Sequence, residues 1–326
     1  MVKQLALSLA ILLICISDAN SKPLQIDSLQ AIDVNGSKQW LLIRSSDPLN
    51  PVLLYLHGGP GQSLIPFAHV ASSFLTDRFT VVYWDQRGAG LSFEAADPPE
   101  TLSVRQLVLD TLSVTKYLKS RFNQEKIYLL GHSWGSTLGS LVVQESPSDF
   151  YAYIGVGQVV NQRSLNHGRY EWLTQKIPSL LTTKDMHDIK QMDPYAPVSI
   201  RYVDKYGGSI HNITTIRMQQ IMSSSPYCPE KYTSELYDEG IVLSLRMFGK
   251  EMNAIDLFKQ ASEVPIPVYF FLGKYDYVTP TAPVLEYFKG LRAPHKEIIW
   301  FEKSGHHMDI EEPERFQQVL IDKLLG

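Results

Sequence analysis

Cysteine is nearly absent: Cys15 and Cys228 are the only two in 326 residues. Cys15 sits in an amino-terminal apolar run, and cleavage of that run would leave Cys228 alone, so no intrachain disulfide could staple the fold. Charge of one sign is also scarce. The formal net charge is -4 and no long basic run occurs, which argues against nucleic acid as a partner. No apolar run is long enough to span a bilayer comfortably. Internal repeats and low-complexity stretches are missing, and so is a metal signal, because His306-His307 has no spaced ligand set around it.

What is present suits a secreted globular protein: 44% hydrophobic, 20% charged, and long enough for one large α/β domain with an inserted subdomain. The amino terminus carries Lys3, the apolar run Leu5 to Ile16 and then Ala19-Asn20-Ser21. A short positive region, an apolar core and a small-residue ending read as a cleavable secretory signal over residues 1–21, cut after Ser21. The rival reading is an uncleaved membrane anchor; Cys15 lacks the small preceding residue that a bacterial lipoprotein signal needs. Cleavage predicts a secreted or periplasmic protein with no stable membrane association. Two sequons, Asn35-Gly-Ser and Asn212-Ile-Thr, are glycosylation acceptors in a eukaryotic host. Asn35-Gly36 lies between strand-like segments and is better suited to a tight hairpin turn.

The chemistry concentrates at GHSWG, Gly131 to Gly135. The apolar run Ile127 to Leu130 precedes it and a small-residue helical segment, Ser136 to Val143, follows, which makes strand, sharp turn and helix with Ser133 at the turn. A serine hydroxyl is a poor nucleophile unless it is held exposed beside a base. A tight turn with small residues two positions either side supplies the exposure. The backbone N–H of Trp134 becomes one oxyanion donor. Partners follow in chain order. After the strand Pro267 to Leu272, GKYD places Asp276 beyond a strand end; after Glu297 to Phe301, SGHH places His306 in the next such loop, with His307 as the rival base. Ser, then Asp, then His is the α/β-hydrolase order. In it Ser133 attacks an acyl carbon, His306 moves the proton and Asp276 holds the imidazole tautomer. Upstream, the strand Pro51 to Leu56 ends in HGGPG, His57 to Gly61, where two glycines before a proline let the backbone turn the N–H of Gly59 toward the attacked carbonyl. Alone, HGGPG is equally an ordinary turn; its place ahead of a serine elbow favours the oxyanion reading. Such a triad needs no metal and no cofactor.

With these residues in view, the chain resembles the proline iminopeptidase (prolyl aminopeptidase) family of serine hydrolases. HGGPG at His57, WDQRGAGLS at Trp84 to Ser92 and GHSWGSTLG at Gly131 to Gly139 look like that family's three core motifs, and SGHHMDIEEPERF resembles its terminal histidine segment. The resemblance implies an α/β-hydrolase fold and an aminopeptidase, and it selects His306 as base because the family places the base directly after the glycine. Asp85 and Arg87 take a structural role in this reading, fixing the loop after the fourth strand by an ion pair or hydrogen bonds. Two departures stand out. The chain has GHSWG where the family often has GGSWG, with His132 packed beside the elbow, and the family's acidic cap motif with a Trp-Glu pair is not recognisable.

The remaining chain alternates strand and helix. The hairpin of Ile26 to Val34 with Gln39 to Ile43, a helix near Pro66 to Leu75, the strand Phe79 to Tyr83, a helix from Val104 to Leu118 and the strand Tyr151 to Val156 predict a mostly parallel sheet covered on both faces. The core is expected over residues 22–159 and 263–326. Residues 160–262 break the pattern as short amphipathic helices, an insertion where such hydrolases carry a helical cap. A roofed site selects small substrates or chain ends. Tyr170, Trp172, Tyr227, Tyr232, Tyr237 and Phe248 either line it or pack the cap. An aminopeptidase needs a carboxylate to pair with the substrate's ammonium in a closed pocket. Glu171, Asp204, Glu230, Glu235, Asp238 and Glu239 are available, with Glu171 beside Trp172 preferred; otherwise each is a solvated helix face.

Three functions stay open. One is an exported aminopeptidase acting on short peptides or amides, proline foremost; another is a carboxylesterase or small-acyl hydrolase with the same triad and no amine anchor. The third, a non-catalytic binding protein on the hydrolase fold, is disfavoured because no triad residue is lost. Ser133 in place of a carboxylate disfavours epoxide hydrolase or dehalogenase chemistry.

Overall fold

The structure, a computed structural model, describes residues 22–93, 102–195, 200–228 and 234–326. The expected signal at 1–21 lies outside them, as do Glu230, Tyr232 and the side chains of Glu235, Tyr237 and Asp238. Eight strands, β1 (Ile26–Val34), β2 (Ser37–Ser45), β3 (Val52–Leu56), β4 (Thr80–Asp85), β5 (Ile127–His132), β6 (Phe150–Val156), β7 (Val268–Gly273) and β8 (Lys296–Phe301), form one sheet in the order β1-β2-β4-β3-β5-β6-β7-β8. β1 and β2 pair antiparallel across Asn35-Gly36, whose φ values of 51° and 76° suit a primed two-residue turn. β2 also pairs antiparallel with β4, and every pairing beyond β4 is parallel. This is the mostly parallel α/β-hydrolase sheet that the alternation of elements predicts.

Central strands such as VLLYL in β3 and VYFFLG in β7 are buried throughout, because helices cover both faces. Alternate residues divide between two apolar clusters. Leu54, Leu129 and Phe270 face α2 (Val104–Arg121) and α3 (Trp134–Glu145), whereas Leu53, Leu130 and Phe271 face α1 (Ala68–Ala71) and α12 (Pro313–Leu325). α2 begins where Ser103 Oγ accepts the Gln106 N–H at 3.1 Å and ends with Lys119 and Arg121 against its negative pole. The helix expected near Pro66 to Leu75 is instead the four-residue α1 between two 3-10 turns. There the Ala68 carbonyl accepts the Ser72 N–H, the Ser72 hydroxyl and the buried Arg44 guanidinium together, and the chain leaves the helix at Ser72, whose φ and ψ are -138° and 32°.

Between β6 and β7 the described chain is helical: α4 (Gln162–Glu171), a π turn at Trp172–Lys176, α5 (Thr183–Lys190), α6 (Ile200–Lys205), α7 (Thr215–Ser223), α8 (Ser234–Ala254) and α9 (Leu257–Gln260). After β7 come α10 (Thr281–Gly290) and, beyond β8, α11 (Met308–Glu311). No helix among the described residues is long and apolar enough to cross a membrane. β3 lies between β4 and β5, where the strand order reverses, and such a reversal opens a crevice at the carboxyl ends of the strands. The register Leu56 to Gly131 brings HGGPG alongside the serine elbow.

Candidate active site

Ser133 is held at φ 55° and ψ -120°, a conformation that costs a non-glycine residue roughly 1–3 kcal/mol. Close packing enforces it. A Cβ on Gly131 would lie 2.2 Å from the Gly135 carbonyl oxygen, and one on Gly135 would lie 2.2 Å from that of Leu56, so only glycine lets α3 sit this close to β3 and β5. The turn is pinned by Ser133 N–H donating to Val156 O at 2.9 Å and by Ser136 Oγ donating to Ser133 O at 2.5 Å.

Asp276 follows β7 and His306 follows β8, and the fold brings them together: His306 Nδ1 lies 2.8 Å from Asp276 Oδ2. Thr279 completes the carboxylate's shell, with Oγ1 donating to Oδ2 at 2.5 Å and N–H donating to Oδ1 at 2.8 Å. Burial alone would push the Asp276 carboxyl up, but the His306 charge and the hydrogen bonds from His306 and Thr279 outweigh it and hold it below its ordinary value. An ionised carboxylate only accepts, so the ring proton of neutral His306 sits on Nδ1 and Nε2 is left as the basic nitrogen.

The base loop is fixed from two sides. His306 N–H donates to Ser209 O at 2.7 Å, and His132 Nε2–H donates to His306 O at 2.9 Å. His132 packs its ring 4.6 Å from that of His306, and burial, followed by the His306 charge, lowers its pKa to about 3, so it remains neutral. His307 is held well below the ordinary histidine value by burial and then by the charges of His306 and His132. No carboxylate contacts its ring among the described residues, and its Nδ1 has no hydrogen-bond partner there. Glu311 accepts four backbone N–H groups: Gly305 at 2.9 Å, His307 at 3.2 Å, His211 at 2.7 Å and Asn212 at 2.9 Å. It thereby ties the base loop to the inserted helical segment. Sequence reasoning overlooked Glu311, whose signal was an acid five residues after His306 within SGHHMDIEEPERF.

HGGPG abuts the serine, since a Cβ on Gly58 would lie 2.9 Å from Ser133 Cβ. The Gly59 N–H, the expected oxyanion donor, has no partner among the described residues. Arg87 has the structural role expected of it, with Asp110 as partner. Its Nε and Nη2 reach the Asp110 carboxylate at 2.7 and 3.1 Å, and Nη2 donates to Val34 O at 3.1 Å, joining the loop after β4 to α2 and the hairpin. Asp85 Oδ2 accepts the Leu91 N–H at 2.8 Å within the same loop.

The inserted segment distributes its candidates unequally. Glu171 is 47% exposed at the end of α4 and sits 3.5 Å from His167 Nδ1. Asp204 stays open to solvent as a residue, yet its carboxyl end is crowded enough that burial raises its pKa, against a Ser209 hydrogen bond and the positive charges of His306 and Arg169. Arg169 Nε donates to Val278 O at 2.8 Å, beside Asp276, and burial lowers its pKa to about 10. The aromatic residues are packing groups for the most part. Trp172 stacks on Tyr277 at 4.4 Å, Phe248 meets Trp134 at 5.2 Å, and Tyr227 donates to the Asp27 carboxylate at 2.7 Å by the edge strand. α8 roofs the oxyanion loop so closely that a Cβ on Gly61 would lie 2.3 Å from Gly240 O.

Beneath the base loop, Asp309 is buried with Tyr55 OH donating to its Oδ2 at 2.8 Å, while its Oδ1 has no partner among the described residues. Burial raises its pKa to about 6, against the Tyr55 hydrogen bond and the His306 charge and with a smaller push from Glu311. Between about pH 4 and 6 the native state therefore keeps a proton that the unfolded chain has released, so this group's contribution to stability falls as pH rises through that window. Asp309→Asn removes the dependence. Its stability relative to wild type is expected to improve by about 3 kcal/mol between pH 4 and pH 8 in urea unfolding. A difference that stays flat with pH would mean that Asp309 ionises as an ordinary carboxyl.

Comparison with known proteins follows the same lines. Residues 48–313 match the family described as serine aminopeptidase, S33. A probable aminopeptidase of Bacillus subtilis, YbaC, is 31% identical over 302 residues, covering 90% of this chain and 94% of that protein. A proline iminopeptidase of Heyndrickxia coagulans is 23% identical over 300 residues, covering 90% and 97%. The crystal structure of the proline iminopeptidase of Mycobacterium smegmatis shares the fold, with a TM-score of 0.65 at 18% identity over 91% of this chain and 98% of that one. With the elbow, the paired acid and base loops and these matches in agreement, the chain belongs to the serine aminopeptidase S33 family and is a serine hydrolase of the prolyl-aminopeptidase kind.

Proposed function

We propose that this chain is an exported aminopeptidase that releases an N-terminal residue, proline foremost, from short peptides or amides through an acyl-enzyme on Ser133. The observation that carries the reading is the buried His306–Asp276 pair at 2.8 Å, at the same carboxyl end of the sheet's strands as a serine on a strained elbow. Ser133 Oγ attacks the acyl carbon while His306 Nε2 takes its proton, and the oxyanion forms between the N–H groups of Gly59 and Trp134. His306 returns the proton to the leaving nitrogen as the C–N bond breaks. Water then attacks the ester by the same route. Export rests on the leader pattern at Lys3 to Ser21, and native material beginning at Met1 would reject it.

The substrate's ammonium is assigned to Asp204 in preference to Glu171, since the segment just after Asp204 is bonded to both the base and acid loops, with His306 N–H donating to Ser209 O at 2.7 Å and Tyr277 N–H to Gly208 O at 2.8 Å, whereas Glu171 faces His167 near the surface. The proline preference is supported by what the relatives are named. Losing a charged hydrogen bond typically costs about 1.5–3 kcal/mol, so free-amine prolyl amides should exceed their N-acetyl counterparts by well over tenfold in kcat/KM. Asp204→Asn narrows that gap and Glu171→Gln leaves it. Equal rates on free and blocked amides, with short-chain esters best, would move the assignment to an esterase.

A further inference from the structure

A single side chain joins the three motifs that the sequence sets apart. Gln86 follows β4 and is 2% exposed. Its backbone N–H donates to His57 Nε2 at 3.1 Å, its Nε2 donates to His57 O at 3.0 Å, and its Oε1 accepts from Trp134 Nε1 at 3.3 Å. Thus HGGPG, WDQRG and GHSWG meet at one amide, which must be both donor and acceptor. Glutamate cannot donate to the His57 carbonyl, and leucine can do neither.

The consequences run to both expected oxyanion donors. Because His57 Nε2 accepts from the Gln86 backbone N–H, the ring proton is on Nδ1, where it donates to Gly58 O at 2.9 Å; the Gln86 side chain holds the same turn through its own bond to His57 O at 3.0 Å, the contact that a leucine removes. Burial lowers the His57 pKa to about 4, so the ring stays in this neutral form. The Gln62 N–H also donates to Gly58 O, at 3.2 Å. In a trans peptide the carbonyl and the following N–H point opposite ways, so holding Gly58 O aims the Gly59 N–H. On the other side, Trp134 opens α3, and its indole is held between Gln86 and Phe248.

We propose that Gln86 is a positioning residue for the oxyanion hole, keeping the Gly59 and Trp134 N–H groups, which come from separate loops, at a fixed separation. The inference rests on the Ser133 acyl-transfer reading. An oxyanion donor removed outright typically costs about 10²–10³ in rate, so displacing donors in Gln86→Leu should lower kcat by about 10–100-fold. KM should stay within about threefold, because the ground-state carbonyl depends less on those donors than the tetrahedral oxyanion does. A peptide boronate, which forms a tetrahedral adduct on the serine, should lose affinity by about the same factor as kcat. Trp134→Phe keeps the backbone N–H but loses the bond to Gln86, and it should give a smaller loss that is not additive with Gln86→Leu; this variant carries the test if Gln86→Leu does not fold. A kcat within about twofold of wild type in either folded variant, or a kcat loss with unchanged boronate affinity, overturns the positioning role. Failure of wild type to take a phosphonate label at Ser133 overturns the acyl-transfer reading instead, so the two failures are distinguishable.

Discussion

Ser133→Ala is expected to lower turnover by a factor of about 10⁶, since the nucleophile and its base act as a unit and what remains is binding and oxyanion stabilisation. The fold should survive, because the elbow is built from backbone contacts: Ser133 N–H to Val156 O at 2.9 Å and the glycine approaches at Gly131 and Gly135. Alanine meets the same backbone strain at φ 55° as serine, so it should unfold at nearly the same urea concentration. Ser133→Gly relieves that strain and is expected to be more stable than wild type by about 1 kcal/mol or more while equally inactive. Loss of activity with retained or raised stability separates chemistry from folding. Substantial hydrolysis by Ser133→Ala, or a phosphonate label on another residue, would reject the elbow as the nucleophile's seat.

The features legible in the sequence were those set by local backbone constraints. GHSWG follows an apolar strand and sets glycines where the turn at Ser133 packs too closely for a side chain, Asn35-Gly36 suits a primed hairpin turn, and GKYD and SGHH sit at strand ends. The sheet was legible for a similar reason, because strands buried on both faces read as continuous apolar runs. What remained hidden was set by contacts between distant residues. Gln86 reaches His57 across 29 positions and Trp134 across 48, and Glu311 reaches His211 across 100. No local pattern announces such a partner. α1 was overestimated because the chain leaves the helix at Ser72, where the Arg44 side chain, 24 residues from Ala68, joins the Ser72 hydroxyl on the Ala68 carbonyl.

The inserted helices were hardest to read. An acid on an amphipathic helix looks the same whether it faces solvent or a site. Glu171 earned preference from its neighbour Trp172, but that indole stacks on Tyr277, beside the acid loop, while Glu171 turns toward His167. Asp204 has no aromatic neighbour next to it in sequence, and only the fold brings the charges of His306 and Arg169 to bear on it.

Asp276→Asn is expected to leave the protein folded and slow it by about 10⁴. The amide can present its Nδ2–H to His306 Nδ1 where the carboxylate now accepts, which favours the tautomer with the proton on Nε2 and removes the basic nitrogen that the proposed reaction needs. It also deletes the negative charge that stabilises the imidazolium formed in the transition state. Thr279 still anchors the side chain through its N–H to Oδ1 at 2.8 Å, so the loop keeps its course. The paired histidines supply the contrast. His306→Ala removes the ring that Asp276 orients and should be at least as damaging as the asparagine change. His307→Ala should be far milder, since His307 has no carboxylate partner and its loop is held through backbone N–H groups of Gly305 and His307 on Glu311. Comparing kcat/KM for the three variants on one free-amine prolyl amide decides the matter. A His307→Ala protein more impaired than His306→Ala would assign the base to His307 and make the Asp276–His306 bond a structural one.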